Sequence, residues 1–187
     1  MNLRHFIGLL FFLLLLIVAG CTFKASTYGL RPEYPENRFC GPYKCATPEI
    51  VFTEVDSLQP TLKWEAFPRP HDAKEDKHGM LSRINDVTYD LKIWSSENEF
   101  PALIYSRQGL PEPFHKIEHP LKACAKYFWS IRASFKIDKE TRVTEWGIST
   151  IPAGWAVRRS STVPNPNLYR FKTPCTSIDE KQTELDK

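Results

Sequence analysis

The fold class this 187-residue chain predicts is all-β, an antiparallel sandwich of about seven short strands. Three observations carry that expectation. Apolar and polar residues alternate with period two in several runs, the pattern of a strand with one face in a core and the other in water. Those runs are rich in Val, Ile, Tyr, Phe and Trp, which fit a pleated surface. Fifteen prolines against eight glycines suit loops and strand edges and disfavour helices.

The chain opens with "MNLRHFIGLLFFLLLLIVAGC". Arg4, with His5 beside it, precedes an uninterrupted apolar run from Phe6 to Gly20. A helix crossing the hydrocarbon core needs about twenty apolar residues, so this shorter run with a small-residue exit predicts a secretory leader over 1–20. Val18-Ala19-Gly20-Cys21 resembles the lipobox of bacterial lipoproteins. The resemblance implies a diacylglycerol on the Cys21 thiol, cleavage just before it, and acylation of the new amine. Thr22 in the next position resembles the outer-membrane sorting class. The expected prosthetic group is that covalent lipid alone, and the expected first partner is membrane lipid, since two or three acyl chains anchor a protein stably. The mature part would then face the periplasm or the cell surface.

Residues 22–187 suffice for one domain with a core. Without Arg4 the balance is 24 basic against 22 acidic residues, which gives no reason to invoke nucleic acid. After Cys21, four cysteines remain: Cys40, Cys45, Cys124 and Cys175. An even set in an exported chain reads as two disulfides, with three possible connectivities.

From Cys21 to Pro48 the chain is rich in turn formers and reads as a tether that docks near Cys40 and Cys45. Residues 49–176 form the domain. "EIVFTEV" is the first strand, then "PTLKWEAF", in which Leu62, Trp64 and Ala66 alternate with Lys63 and Glu65. "VTYDLKIW" puts Val87, Tyr89, Leu91 and Ile93 on one face. "ALIYS" and "FHKIEH" are shorter and bounded by prolines, "AKYFWSIRASFKI" is long, and "LYRFKT" closes the domain. No helix is expected between them, and residues 177–187 are expected to be a disordered polar tail.

"SLQPTLKWEAFP", "VTYDLKIW", "LKACAKYFWSIRASF", "TEWG" and "LYRFKTP" together resemble a fibronectin type III-like domain, an immunoglobulin-like sandwich, over about Glu49 to Pro174. The resemblance implies that Trp64 sits at the core centre. It also implies that Leu121 and Tyr127 open the penultimate strand, with the Tyr127 hydroxyl bonded back to nearby backbone in a tyrosine corner. The departure is a long insertion near 138–167, which leaves "TEWG" either at the start of the last strand or inside the insertion. In such a sandwich the turn before Tyr127 and the end of the last strand share a pole. That implies a Cys124–Cys175 bridge, with Cys40 and Cys45 closing a local loop.

Candidate chemistry is sparse. His115, Glu118 and His119 follow the H-x-x-E-H order of one class of zinc peptidase, which requires a helix to bring both histidines onto one face. Pro111, Pro113 and Pro120 crowd the segment, and a strand would hold the histidines about 13 Å apart. "PHDAKEDKHGM" offers His71, Asp72, Asp76 and His78, but a charged loop is usually just solvated. No catalytic residue and no metal site is expected. "WGISTIPAGWAVRRSSTVPNPN" is the most unusual stretch, and its Trp146, Trp155, Arg158 and Arg159 are the candidate binding residues because Trp and Arg dominate binding hot spots. The competing expectation is that these aromatics cover the core. The function expected is a membrane-anchored envelope lipoprotein that binds or scaffolds an envelope protein without catalysis. The alternatives are a metal-handling protein or enzyme using the histidine loops, and a plain spacer.

Overall fold

The computed structural model describes residues 29–40, 49–76, 79–97, 101–148 and 168–175. They form an all-β sandwich. The smaller sheet contains β1 (Pro32–Tyr34), β5 (Thr61–Trp64) and β8 (Phe114–Lys116) in the order β1-β5-β8. The larger contains β4 (Thr53–Glu54), β11 (Tyr169–Lys172), β9 (Lys126–Ile137), β6 (Ile84–Ser95) and β7 (Ala102–Leu110) in that order, with β10 (Glu140–Val143) also on β9. All pairings are antiparallel except β4 with β11, which run parallel. β2 (Arg38–Cys40) and β3 (Glu49–Val51) make a separate two-stranded ribbon.

The alternation of β9 explains why the sheets pack. Its residues Tyr127, Trp129, Ile131, Ala133, Phe135 and Ile137 are buried, whereas Lys126, Phe128, Arg132, Ser134 and Lys136 face outward. Tyr89, Leu91 and Ile93 of β6 point the same way, towards Leu62 and Trp64 of β5. Trp64 meets Tyr89 edge-on at 5.6 Å and is 1% exposed. Tyr127 stacks on Phe171 at 5.2 Å, and Trp129 meets Tyr169 at 5.6 Å. Each such side chain contributes about 1.5–3 kcal/mol by leaving water, so burial of these rings helps hold the sheets together. The Tyr127 hydroxyl donates to the Lys122 carbonyl oxygen at 3.2 Å.

Several sequence expectations need correction. The described residues contain eleven strands, not about seven, because "EIVFTEV" divides between β3 and β4, and because β1, β2 and β10 were not anticipated. The domain takes in residues assigned to the tether. Leu30 is 1% exposed, and β1 pairs with β5. A short helix, α1 (Pro70–Glu75), also forms where none was expected. Pro70 suits its first turn, where a missing N–H costs nothing. The Asp72 carboxylate accepts from the Arg69 backbone N–H at 2.9 Å, and the Asp72 N–H donates back to the Arg69 carbonyl at 3.0 Å.

The insertion is shorter than the range 138–167. Asp138 and Lys139 form a two-residue turn with φ of 51° and 72°, which folds β10 straight back onto β9. The chain continues along β9: the Thr144 N–H donates to Ala133 O at 2.9 Å and the Gly147 N–H to Ile131 O at 2.7 Å. "TEWG" therefore runs alongside β9 beyond the end of β10. β11 then takes over the same edge, with Tyr169 opposite Trp129. The last strand is in effect built in two pieces, and the excursion between them leaves and rejoins β9 at neighbouring positions.

Candidate functional site

The outward face of the larger sheet carries one continuous arrangement of aromatic rings and cations. Register alone builds its central row: Arg170 of β11 lies opposite Phe128 of β9, Phe128 opposite Trp94 of β6, and Trp94 opposite Leu103 of β7. Strands stand about 4.8 Å apart, so the row is roughly 14 Å long. Phe52, from the connection between β3 and β4, extends it by packing on Phe128 at 5.7 Å. The Arg170 guanidinium lies 5.3 Å from the Phe52 ring and 5.5 Å from the Phe128 ring. At the other end Leu103 and Ile104 are 51% and 45% exposed, which leaves the apolar row open to solvent there.

Two further aromatic–cation groups flank this row. On one side the Lys126 ammonium sits 5.3 Å from the Phe52 ring. On the other, Trp146 lies between two cations, with the Arg132 guanidinium 4.7 Å and the Lys92 ammonium 4.9 Å from its ring. Rings attract cations through their negative faces, which fixes these long side chains against the sheet. Trp146 reaches this position because the backbone around it runs along β9, where Ser130 Oγ donates to the Gly147 carbonyl at 2.7 Å.

Four carboxylates around this face are engaged. Asp90, 7% exposed, pairs with Arg132 at 2.9 Å and accepts from the Gly109 N–H at 3.3 Å. Glu54 pairs with Lys172, Asp86 with Lys136 and Glu97 with Lys122, each at 2.8 Å. Among the described residues no carboxylate pairs with Lys92 or Lys126. The face therefore presents apolar rings with two cations that no described carboxylate neutralises.

The H-x-x-E-H segment has a different role. Phe114–Lys116 is strand β8, and a bend follows at Glu118 and His119, so the segment is neither the required helix nor an extended strand throughout. His115 Nε2 lies 2.6 Å from the Tyr105 hydroxyl of β7. The two groups share one hydrogen bond, whose donor is set by the imidazole tautomer. The Glu118 carboxylate forms a two-pronged ion pair with Arg107 of β7, its Nε at 3.1 Å. Burial pushes the His115 pKa down, outweighing the nearby Glu118 charge. The Arg107 hydrogen bond holds Glu118 below the usual carboxylate range. Two side-chain bonds thus fasten the free edge of the larger sheet to the smaller one, while His119 is exposed.

The remaining sequence candidates separate. Burial opposes the Asp72 carboxylate, but hydrogen bonds and charge from Arg69 outweigh it and lower its pKa. Asp76 accepts the Met80 and Leu81 backbone N–H groups at 2.8 Å each, and His71 lies on the exposed side of α1. Among the described residues no three of His, Cys, Asp and Glu gather as a metal site. Cys124 and Cys175 are joined in a disulfide, with Cα atoms 4.4 Å apart. Cys40 lies in β2, and its expected partner Cys45 falls outside the described residues, as do Cys21, His78, Trp155, Arg158 and Arg159. Sequence reasoning singled out Trp146 but missed Phe52, Phe128, Trp94, Lys92, Lys126, Arg132 and Arg170. The outward positions of "LKIW", "KYFWSIR" and "YRF" were the signal, since an outward-facing aromatic on an otherwise alternating strand is not required by the core.

A shallow groove of about 540 Å³ lies on the opposite sheet, lined by Tyr34, Asp56, Thr61, Lys63 and Phe114. Its tyrosine hydroxyl already accepts the Asp56 backbone N–H at 3.3 Å. Among the described residues no helix is long and apolar enough to cross a membrane. No family model, curated protein or solved structure matches this chain.

Proposed function

We propose that this chain is a lipid-anchored, non-catalytic binding module of the bacterial envelope, built on a fibronectin type III-like sandwich. The anchor reading rests on the apolar leader and Val18-Ala19-Gly20-Cys21. The subtype reading draws support from the β1-β5-β8 sheet facing β11-β9-β6-β7, from Trp64 at the centre of the core, and from the Tyr127–Lys122 hydrogen bond. The observation that carries the binding reading is the outward aromatic–cation face. Rings of this size normally go inside, and a cluster of them beside cations on a solvent-facing sheet is the composition of a recognition surface. The non-catalytic reading is supported by His115 and Glu118 of the H-x-x-E-H motif, which are committed to Tyr105 and Arg107 as fasteners.

The test is photo-crosslinking in cells with a reactive residue at position 94 and a control at position 63 on the other sheet. A reproducible protein captured only from position 94 is the expected result, and capture of none there would sink the binding reading. Fatty-acid labelling that persists in Cys21→Ser would sink the anchor.

A further inference from the structure

We infer that the partner of the Phe128–Trp94 face is an acidic polypeptide segment carrying interspersed apolar side chains. This rests on the binding reading above and adds the chemistry of what is bound. The face is apolar along its central row, Phe52–Phe128–Trp94–Leu103, and cationic on both sides of it, with Lys126 on one flank and Lys92 on the other. Its acidic group, Asp90, is buried against Arg132, and the neighbouring rim carboxylates are spent on Lys172, Lys136 and Lys122. A ligand that placed cations here would meet like charge, and one without charge would leave both lysines desolvated and unmatched.

The ring faces argue further. Phe52 and Trp146 already carry cations within 5.3 Å of their centroids, so they are poor platforms for stacking sugars or bases. The ammonium groups of Lys92 and Lys126 can instead direct N–H donors outward, where carboxylates accept them. Nucleic acid would need a denser array of free cations than Lys92 and Lys126 provide, on a chain of formal net charge +3. Apolar side chains of the segment would lie on the row between the lysines. From Lys126 to Arg132 the face extends about 20 Å along β9, which a segment of roughly six to eight extended residues covers.

The test uses the full chain, purified in mild detergent, with three synthetic peptides of the same length and apolar residues. One is Glu-rich, one has Gln in place of Glu, and one has Lys. We expect the Glu peptide to bind at least about tenfold more tightly than the Gln peptide, with affinity falling as salt rises, and the Lys peptide not to bind. The Lys92→Glu, Lys126→Glu double variant should weaken the Glu peptide at least about tenfold, whereas Lys63→Glu with Lys116→Glu on the other sheet should not. Neither lysine of the first pair meets a carboxylate among the described residues, and unchanged near-ultraviolet circular dichroism would show that this variant stays folded. Equal binding of the Gln peptide would overturn the inference. So would loss of binding only in the Lys63, Lys116 variant, or binding of anionic phospholipid vesicles in place of the Glu peptide. If crosslinking from position 94 captures a protein while the Glu peptide fails, the partner chemistry is wrong and the binding module stands. If neither succeeds, both readings fall.

Discussion

The hydroxyl of Tyr169 donates to the carbonyl oxygen of Leu30 at 2.7 Å, across 139 residues of sequence. The same oxygen lies 3.1 Å from the Ile148 carbonyl. One buried phenol therefore joins the first packed segment of the domain to both ends of the excursion from the β9 edge. Burial drives its pKa far up, so it stays protonated and able to donate. Tyr169→Phe keeps the ring against Trp129 but strands two carbonyl oxygens. It should lower the unfolding free energy by about 1–2 kcal/mol, measured by denaturant titration. A change near zero would mean that water takes over both acceptors.

Beneath that bond, two glycines let backbones touch. A Cβ on Gly147 would lie 2.5 Å from the Leu30 carbonyl oxygen and 2.9 Å from the Tyr169 ring. One on Gly29, whose φ is +65°, would lie 2.6 Å from the Gly147 backbone. The nearest atoms are mostly backbone, which cannot rotate aside. Gly147→Ala should therefore cost about 2 kcal/mol or more by overpacking, and faster exchange of the Ile131 and Ala133 amides would locate the damage. An alanine variant as stable as the parent would show that residues 29–31 shift without loss.

The strands that cross the core were legible because alternation over β6 and β9 is long enough to fix which residues face inward. The limits of that signal are equally physical. Val87 packs against the core, as the alternation implies, but lies only partly buried beside the register shift between Asn85 and Thr88. Ala66 was expected to continue the Leu62–Trp64 face, yet β5 ends at Trp64 and Ala66 is exposed. β10 was hidden because Asp138-Lys139 adopts a turn usually marked by Asn-Gly. β1 has three residues, and its pairing with β5 depends on contacts far away in sequence. The aromatic–cation face was missed for a related reason: its residues come from six segments that are far apart in sequence and meet only in the folded sheet.

The Cys124–Cys175 bridge spans 51 residues at one pole of the sandwich. Closing a loop of that size removes about 4 kcal/mol of chain entropy from the unfolded state, and measured effects are usually about 2–4 kcal/mol. The pole has other ties. The Cys124 N–H donates to Pro174 O at 3.1 Å, and the Thr173 hydroxyl donates to Lys122 O at 2.6 Å. Cys124→Ala with Cys175→Ala should therefore fold with the same β-sheet circular dichroism but unfold at clearly lower denaturant. Loss of all sheet signal would show that the bridge is needed to form the fold.

His115 gives the protein a dependence on pH that can be assigned to one residue. Its pKa in the folded protein is lowered from 6.5, mainly because burial disfavours the charged ring. Protonation would put a proton on Nε2, which would then donate to the Tyr105 hydroxyl oxygen, so the cost comes from burying the charged ring. Since the unfolded chain binds this proton more readily, the contribution is complete above about pH 6.5 and is lost as pH falls from there through the folded-state value. Asp72 and Glu118 act in the same direction, but only below their reference values of 3.8 and 4.5. The slope of unfolding free energy between about pH 7 and 5 therefore carries the His115 contribution free of those two carboxylates. His115→Gln keeps an acceptor for Tyr105 and removes the titration, so its stability should be flat across that window while the parent's declines. Parallel slopes in the two proteins would move the effect to another histidine.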